Sequence, residues 1–355
     1  MEIKRRQSRQ VQIGEVPVGG DAPITVQSMT KTDTRDIKAT LSEIQRLAIS
    51  GCEILRLAVL DSNAAEALRE IVKGSEIPVI ADIHFDHTLA LSAISAGVHA
   101  LRINPGNLRS QEKVREVARA ARDCGIPIRI GVNAGSLDPE MRRKFGGITP
   151  SALAESALNE VTLLEKENFT DIKIAVKAFE LDLTIEANKL VASRCDYPLH
   201  LGITESGLPE EGIIRSTIGI SALLMGGIGD TIRVSLTGDS IEEVAVGRRI
   251  LSCLGFRKFG PTVVSCPTCG RCQVPLIQMA REVQNELKKF KEPFKVAVMG
   301  CAVNGPGEAA EADFGIAGAK DYGLVFKKGK IIKTLPSSEL VKGLIEEIKA
   351  SLGGK

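Results

Sequence analysis

The sequence predicts an α/β protein in two parts, a (β/α)8 barrel of the TIM type followed by a smaller α+β domain at the carboxyl terminus. Three observations predict this fold class. A unit of one short apolar strand, one loop and one amphipathic helix recurs between residue 24 and about residue 255. The strands of this unit are apolar on both faces, as buried parallel strands are. After Leu254 the unit no longer recurs.

The recurring part contains eight predicted strands separated by helices. One face of the first helix is apolar, and Gly51 is suited to the end of that helix. An open doubly wound sheet is the alternative arrangement. No GxGxxG motif follows the first strand, and eight regular units favour closure into a barrel. The predicted strands are Ile24–Ser28, Glu53–Val59, Ile77–Ile83, Ala100–Asn104, Pro127–Val132, Asp171–Val176, Pro198–Ile203 and Thr231–Ser235.

The domain boundaries follow from the change of pattern. We expect a barrel domain at residues 1–257, a linker at 258–261 and a second domain at 262–355. The Lys328-Gly329 pair predicts the turn of a hairpin within the second domain. The elements predicted there are strands at Thr262–Ser265 and Lys295–Gly300, a helix at Val274–Lys288, paired strands near Tyr322–Phe326 and Lys330–Leu335, and a final helix from Ser337 to Leu352.

Composition excludes several classes of partner. The 46 basic and 44 acidic residues leave a net charge of +2, so no strong attraction to nucleic acid or to an anionic membrane is expected. Aromatic residues make up 3% of the chain, which argues against a base-stacking surface. The first twelve residues lack the apolar run of a secretory signal, and no apolar run reaches membrane-spanning length. The expected compartment is the cytoplasm.

Polar residues are concentrated where the predicted strands end. In a barrel of this type, the carboxyl ends of the strands and the loops after them form the active site. Any single one of these residues could be a satisfied polar group inside the barrel. The whole set is costly to bury unless its charges pair with one another or meet a ligand. The set is Arg56, Asp82, His84, Arg102, Asn104, Arg129, Asn133, Lys173, Lys177, His200, Glu205, Arg233 and Ser235.

The sign of the charges in this set indicates the ligand. Four arginines and two lysines face two carboxylates, and arginine geometry suits phosphate. Two glycine-containing stretches, 226–230 and 237–240, are candidates to cradle phosphate oxygens with their backbone amides. The expected ligand of the barrel is therefore an anion.

A cysteine cluster indicates a metal or redox site in the second domain. In a cytosolic chain, a CxxC cluster is typical of metal or redox chemistry rather than of disulfides. Structural zinc sites usually show two CxxC pairs, and the close spacing of a ferredoxin run is also missing. The spacing of the thiols alone selects four ligands and leaves Glu308 as a solvated carboxylate. Those four are Cys266, Cys269, Cys272 and Cys301.

Together these segments resemble the 4-hydroxy-3-methylbut-2-enyl diphosphate synthase family of the non-mevalonate isoprenoid pathway. The resemblance covers essentially the whole chain and fits the compact two-domain bacterial form. It is carried by Cys266-Pro-Thr-Cys269-Gly-Arg, Gly300-Cys-Ala-Val-Asn-Gly-Pro-Gly-Glu308, Val26-Gln-Ser-Met-Thr and Gly202-Ile-Thr-Glu205.

The resemblance implies a cofactor and a reaction. It implies a 4Fe-4S cluster bound by Cys266, Cys269, Cys301 and Glu308, with Cys272 not a ligand. The implied reaction opens the ring of 2-C-methyl-D-erythritol 2,4-cyclodiphosphate and removes a hydroxyl group, giving (E)-4-hydroxy-3-methylbut-2-enyl diphosphate. Two electrons pass singly through the cluster. A carboxylate ligand exchanges more readily than a thiolate, so its iron could accept a substrate oxygen.

The resemblance also implies residue roles and partners. Glu205 is the candidate proton donor, and Asn304 the candidate hydrogen-bond donor near the cluster. A ferredoxin or flavodoxin supplies the electrons, and a homodimer lets each cluster domain cover the partner's barrel. The candidate phosphate ligands are Arg56, Arg102, Arg129, Lys177 and Arg233. The candidates for positioning the substrate are Asp82, His84, Asn104, Asn133, His200 and Ser235.

Two alternatives remain at this stage. One is a barrel with a structural zinc site that acts as a binding or scaffold module. The other is a barrel enzyme for phosphorylated or pterin-like substrates whose cluster is only structural. The iron content and the colour of the protein separate the first alternative from the reductive enzyme.

Overall fold

The computed structural model describes residues 3–84, 86–104, 108, 110–301, 307 and 309–353. The predicted positions Asn304 and Glu308 lie outside these residues. The described chain divides into two compact units, Met1–Arg257 and Lys258–Lys355. No helix among the described residues is long and apolar enough to cross a membrane.

The first unit contains a closed parallel barrel, as the sequence predicts. Its eight strands form one sheet in the order β8-β7-β6-β5-β4-β3-β10-β9, and a parallel bridge between Ile174 and Leu199 joins the two ends. The strands are β3 (Thr25–Met29), β4 (Ile54–Ala58), β5 (Val79–Asp82), β6 (Ala100–Ile103), β7 (Ile128–Asn133), β8 (Ile172–Lys177), β9 (His200–Leu201) and β10 (Thr231–Ile232). All eight coincide with predicted strands, although β9 and β10 are shorter than expected.

Helices surround the barrel and present their apolar faces to it. Helix α1 ends at Gly51, whose φ of 93° is the left-handed conformation that suits glycine. The helices are α1 (Ile37–Ser50), α2 (Ser62–Gly74), α3 (His87–Ser95), α4 (Gln111–Asp123), α5 (Pro139–Lys144), α6 (Pro150–Glu165), α7 (Leu181–Arg194), α8 (Pro209–Met225) and α9 (Ser240–Cys253). The short helix α5 was not predicted.

A β-hairpin that the sequence analysis missed precedes the barrel. Strands β1 (Gln10–Ile13) and β2 (Val16–Gly19) pair antiparallel. Their residues Val11, Ile13 and Val18 form one apolar cluster with Ile54, Ile80 and Ala100, which lie near the starts of three barrel strands. The hairpin therefore closes the amino-terminal end of the barrel and leaves the carboxyl end for a site.

The second unit is a five-stranded mixed sheet in the order β11-β12-β13-β14-β15. Strands β11, β12 and β13 are parallel, and β14 and β15 continue antiparallel. The strands are β11 (Thr262–Ser265), β12 (Lys295–Met299), β13 (Phe314–Gly318), β14 (Tyr322–Lys327) and β15 (Lys330–Pro336). Helices α10 (Leu276–Leu287) and α11 (Leu340–Ser351) pack on one face of this sheet.

Of two local features of the second unit, the sequence predicted one and not the other. The Lys328-Gly329 turn is confirmed, with both residues at positive φ as a two-residue hairpin requires. Strand β13 was not predicted, because two of its five residues are glycines. Those glycines give space to neighbours, since a Cβ at Gly315 would lie 2.2 Å from the Phe326 ring and one at Gly318 would lie 2.5 Å from Val274.

Candidate active site

A cavity of about 220 Å³ opens at the carboxyl ends of the barrel strands. This is the end at which TIM barrels carry their active sites. Nine of its lining residues were predicted from their positions at strand ends, and Gly131, Ala175 and Thr204 were not. The predicted nine are Arg56, Asp82, His84, Arg102, Arg129, Asn133, Lys177, Arg233 and Ser235.

Asp82 is the negative centre of one side of the cavity. Its carboxylate oxygens lie 3.4 Å from Arg56 Nε and 3.0 Å from Arg102 Nη1. Burial opposes ionisation of Asp82, but the nearby cations, Arg56 first, keep its pKa below the ordinary range. Asp82 is therefore ionised at neutral pH, and it orients two arginines toward the cavity.

Glu243 has the corresponding role on the other side, and the sequence analysis missed it. It lies on α9 with 1% of its surface exposed. Its carboxylate lies 3.4 Å from Arg233 Nη2 and 3.3 Å from Lys31 Nζ, and it accepts a hydrogen bond of 3.0 Å from the Leu236 amide. A glutamate in the first turn of a helix is usually explained by its favourable interaction with the helix dipole. The position of Glu243 in the sequence therefore did not indicate that it pairs with Arg233.

Arg129, Lys173 and Lys177 supply positive charge without a carboxylate in hydrogen-bond contact among the described residues. Arg129 Nε and Nη1 and Lys173 Nζ are buried with no hydrogen-bond partner in the described part of the chain. Burial lowers the pKa of Lys177 well below the ordinary lysine value, and the charges of Arg129 and Arg233 lower it further. An anion in the cavity would relieve the charge repulsion and would meet Arg129 and Lys177, which line the cavity, whereas Lys173 does not line it.

Two glycines provide the space that these long side chains occupy. A Cβ at Gly131 would lie 2.6 Å from Arg102 Nε, and a Cβ at Gly202 would lie 2.7 Å from Lys177 Nζ. Real Cβ atoms do not approach other atoms this closely. Any larger residue at Gly131 or Gly202 would therefore displace a cation of the cavity.

Three residues that were assigned a role in substrate binding or catalysis do not line the cavity, and neither does Lys173. His200 is fully buried, and its Nδ1 lies 2.5 Å from Thr231 Oγ1. Burial and then the charge of Lys177 lower its pKa well below the ordinary histidine value. Asn104 is 8% exposed at the end of β6 and lies outside the cavity lining. His200 points into the barrel two residues before Gly202, so it lies too deep to meet a ligand in this cavity.

Glu205, the third, lies beyond the end of β9 and is exposed. Its carboxylate lies beside Gly135, in the loop after β7. Its φ of 56° is uncommon for a residue other than glycine, and such strain is concentrated at functional sites. Glu205 is thus held at the active end of the barrel, outside the cavity lining.

One of the two glycine-containing stretches is in the wrong place to bind phosphate. Residues 226–230 precede β10 and therefore lie at the amino-terminal end of the barrel. There the Arg6 amide donates to Gly227 O at 2.8 Å, and Asp230 accepts a hydrogen bond of 2.9 Å from Arg5. This stretch anchors the amino-terminal segment, which corrects the expectation that it cradles a phosphate.

The cysteine segment of the second unit begins where two parallel strands end. Cys266 directly follows β11, and Cys301 follows the neighbouring strand β12 by two residues, so both lie at the same edge of the sheet. The Gly300 amide lies 3.4 Å from Cys266 Sγ. Hydrogen bonds from the Arg271 amide and side chain lower the pKa of the Cys269 thiol. Cluster iron is held by cysteine thiolates, and this donor set fits such a group.

Cys272, like Cys266, is partly buried against the apolar core of the second unit. Its thiol also lies 3.3 Å from Val274 O. A Cβ at Gly300 would lie 2.6 Å from its sulfur. Within the described residues, no three metal-ligating side chains are close enough to hold a single ion. Glu308, the fourth ligand that the resemblance implies, lies outside them.

Comparison with known proteins identifies the family. Residues 8–248 match the GcpE TIM-barrel domain, and residues 262–350 match the GcpE protein C-terminal domain. The chain belongs to the GcpE family. Both matches fall within the two compact units of the structure.

Curated relatives cover nearly the whole chain. A protein of Thermodesulfovibrio yellowstonii is 56% identical over 347 residues, which is 98% of this chain and 99% of the relative. One of Geobacter sulfurreducens is 53% identical over 351 residues and covers 99% of each chain. Both are named 4-hydroxy-3-methylbut-2-en-1-yl diphosphate synthase (flavodoxin), so the family resemblance deduced from the sequence is confirmed.

Two solved structures with low sequence identity are similar to this chain in fold. A sialic acid synthetase from Leptospira borgpetersenii has a TM-score of 0.51 at 14% identity and covers 80% of this chain and 99% of its own. A truncated 3-deoxy-D-arabino-heptulosonate 7-phosphate synthase from Thermotoga maritima has a TM-score of 0.50 at 12% identity, covering 70% and 94%. At this level of identity the likeness bears on fold and not on activity.

Proposed function

We propose that this chain catalyses the reductive ring opening and dehydroxylation of 2-C-methyl-D-erythritol 2,4-cyclodiphosphate to (E)-4-hydroxy-3-methylbut-2-enyl diphosphate. The observation that carries the proposal is the cavity at the carboxyl end of the barrel, where five cations face one buried carboxylate in the lining. The family membership names the reaction, and the excess positive charge supplies a reason for a diphosphate to bind there.

The barrel residues bind and orient the substrate in this proposal. Arg129 and Lys177 meet the diphosphate oxygens, since neither is hydrogen-bonded to a carboxylate within the described residues. Three arginines also bind the diphosphate in this proposal. Asp82 holds Arg56 and Arg102 in place, and Glu243 holds Arg233. Because these side chains hold the substrate in one orientation, less entropy is lost on the way to the transition state. Glu205 delivers a proton to the oxygen that departs as water.

The second unit supplies the electrons. Cys266, Cys269 and Cys301, with Glu308, would hold a 4Fe-4S cluster, which supplies single-electron reduction when bound. Cys266 and Cys301 lie at one edge of the sheet, which supports this assignment. We further infer a flavodoxin as electron donor, a homodimer and a cytoplasmic location; the names of the relatives support the first of these.

The proposal predicts the metal content and the activity of the protein. Anaerobically reconstituted protein should contain about four iron and four sulfide per chain for one such cluster. It should convert the cyclodiphosphate to the ring-opened product when reduced flavodoxin is supplied, as mass spectrometry of the product would show. Tightly bound zinc without iron would contradict the proposal, and so would a complete cluster without turnover.

A matched pair of cysteine variants tests the ligand set. Cys269→Ser should lose most of the iron, because it removes a ligand. Cys272→Ser should keep the cluster and most of the activity, because the Cys272 thiol bonds to the Val274 carbonyl and packs on the core. Iron analysis and the visible spectrum of both variants measure this. Loss of the cluster in both variants would restore the four-thiol site.

A further inference from the structure

A ridge on the second unit has no role in the proposed chemistry. Ile277 and Arg281 lie one helical turn apart on α10, so their side chains are neighbours on the helix surface. Both are exposed, and Ile277 exposes 62% of its surface. Single exposed apolar side chains are common on protein surfaces, so the significance of Ile277 lies in the grooves beside it.

Two grooves flank this ridge and connect it to the cysteine segment. Their volumes are about 520 Å³ and 350 Å³, and both are lined by Thr268, Leu276, Ile277 and Arg281. The first groove reaches Cys272, and the second reaches Cys266 and Pro267. We call Ile277, Arg281 and the walls of these two grooves the α10 ridge. A molecule seated on it would touch the segment that holds the candidate cluster ligands.

The charge of the second unit indicates what kind of molecule fits. Residues 258–355 contain 15 lysines and arginines and 10 aspartates and glutamates, a net charge of +5. The whole chain has a net charge of +2, so residues 1–257 have a net charge of −3. Arg271 and Arg281 are exposed at the cysteine segment and on the ridge. The carboxylate of Glu282 nearby accepts a hydrogen bond of 2.8 Å from Gln278.

Electron-transfer partners meet briefly and over small areas. Their contacts lie at the low end of interface sizes, and complementary charge mainly raises the rate of encounter. A cluster that is reduced twice in each turnover needs a surface from which a donor leaves as readily as it arrives. The apolar contact at Ile277, with Arg281 beside it on the ridge and Arg271 at the cysteine segment, meets that need.

We propose that the α10 ridge is the docking surface for an acidic flavin-mononucleotide protein of the flavodoxin class. The proposal rests on the proposed function, since it presupposes a cluster at the cysteine segment. Ile277 makes the apolar contact, and Arg281 and Arg271 attract carboxylates around the donor's flavin. The alternative occupant, a barrel that covers the cluster during catalysis, is an outcome of the test.

The test compares two reductants on the reconstituted full-length protein. One is reduced flavodoxin, and the other is reduced methyl viologen, which needs no docking surface. The ridge variants are Ile277→Glu and Arg281→Glu. The control is Lys330→Glu, which makes the same charge change on β15 at the opposite edge of the same sheet. Binding of oxidised flavodoxin to both apoprotein and reconstituted protein, followed by flavin fluorescence, gives a readout that is independent of turnover.

Each ridge variant should lower kcat/KM for flavodoxin roughly tenfold at low salt, the size of effect that a reversed steering charge produces. Turnover with methyl viologen should not change, flavodoxin binding should weaken, and the difference from wild type should shrink as salt is added. Lys330→Glu should resemble wild type in every assay.

Two results would overturn the docking proposal. An equal loss with both reductants would mean that the ridge serves catalysis or a covering barrel. Unchanged flavodoxin binding and kinetics in both ridge variants would mean that the donor docks elsewhere. A failure of the proposed function is distinguishable, because wild-type protein would then turn over with neither reductant, while the binding assay would still decide whether flavodoxin docks on the ridge.

Discussion

Arg129 and Lys177 show how the cavity differs from an ordinary barrel interior. Barrel cores are usually filled by branched apolar side chains, whereas these two buried cations are each the neighbour of other cations. Keeping them there costs stability unless a ligand compensates. This cost in stability indicates that the two buried cations serve to bind an anion rather than to stabilise the barrel.

Binding of the cyclodiphosphate should be coupled to proton uptake. In the empty cavity, burial and neighbouring cations lower the pKa of Lys177. An anion favours the charged amine and raises that pKa, so between the two values Lys177 gains a proton from solvent on binding. Calorimetry in buffers of different ionisation enthalpy, over a series of pH values, measures the uptake.

Lys177→Arg is the matched variant for this measurement, because a guanidinium keeps its proton in both states. It should bind the cyclodiphosphate with a smaller proton uptake than wild type. Binding heats that do not depend on the buffer at any pH, or an uptake that is unchanged in Lys177→Arg, would contradict the assignment of Lys177.

The sequence identified most cavity residues because alternation along a strand places every second side chain inside the barrel. The sequence could not show how far each inward-pointing side chain lies from the carboxyl end of its strand. His200 has the same orientation as the cavity residues, but it lies too far from the carboxyl end to line the cavity. It also could not reveal Glu243, whose role depends on how α9 folds back on Arg233, the residue that directly follows β10. The local sequence around Glu243 carries no sign of that contact.

At the scale of elements, the recurring strand–helix unit made the eight barrel strands predictable. The β1–β2 hairpin was not predictable in this way, because it occurs once and its four-residue strands are short. Its value to the fold comes from contacts with Ile54, Ile80 and Ala100, which are distant in sequence. Strand β13 was missed for a different reason, since glycine has a low preference for strands and provides room for neighbouring side chains instead.

The hairpin should contribute measurably to the stability of the barrel. Ile13 is fully buried in the cluster that closes the amino-terminal end. Ile13→Ala should lower the free energy of unfolding by about 2–4 kcal/mol, from lost burial and the cavity that remains. Urea unfolding of the apoprotein measures this.

The matched control is Gln12→Ala, one residue earlier on β1, where the side chain is exposed. It should change the free energy of unfolding by less than about 0.5 kcal/mol. Equal changes in the free energy of unfolding for the two substitutions would show that the hairpin does not pack on the amino-terminal end of the barrel.

At the scale of the whole molecule, the proposed diphosphate site and the proposed cluster belong to different compact units of one chain. The cations lie in Met1–Arg257 and the cysteines lie in Lys258–Lys355. A reaction that needs both requires a barrel and a cluster unit to meet, and the proposed homodimer would let each cluster unit serve the partner's barrel.

Mixed dimers test this arrangement. Arg129→Met weakens substrate binding by the barrel and Cys269→Ser inactivates the cluster unit, so at a substrate concentration well below the dissociation constant of Arg129→Met neither variant alone should show appreciable turnover. Heterodimers of the two would contain one intact barrel and one intact cluster unit on different chains, and they should regain part of the activity. Purified heterodimers that stay inactive would show that each chain uses its own two units.

The cations at the carboxyl end of the barrel form the proposed diphosphate site. Arg129 is the sharpest probe, because its removal leaves no buried carboxylate unpaired: among the described residues, its Nε and Nη1 have no hydrogen-bond partner. Arg129→Met should therefore fold at least as stably as wild type. Its control is Arg119→Met, which removes an exposed arginine on α4, outside the barrel.

The deciding measurement is the dissociation constant of 2-C-methyl-D-erythritol 2,4-cyclodiphosphate by calorimetry for wild type and both variants. Loss of one buried charge-assisted contact corresponds to about 2–3 kcal/mol, so Arg129→Met should bind roughly 30- to 150-fold more weakly. Arg119→Met should bind as wild type does. Unchanged affinity in a correctly folded Arg129→Met protein would contradict the account.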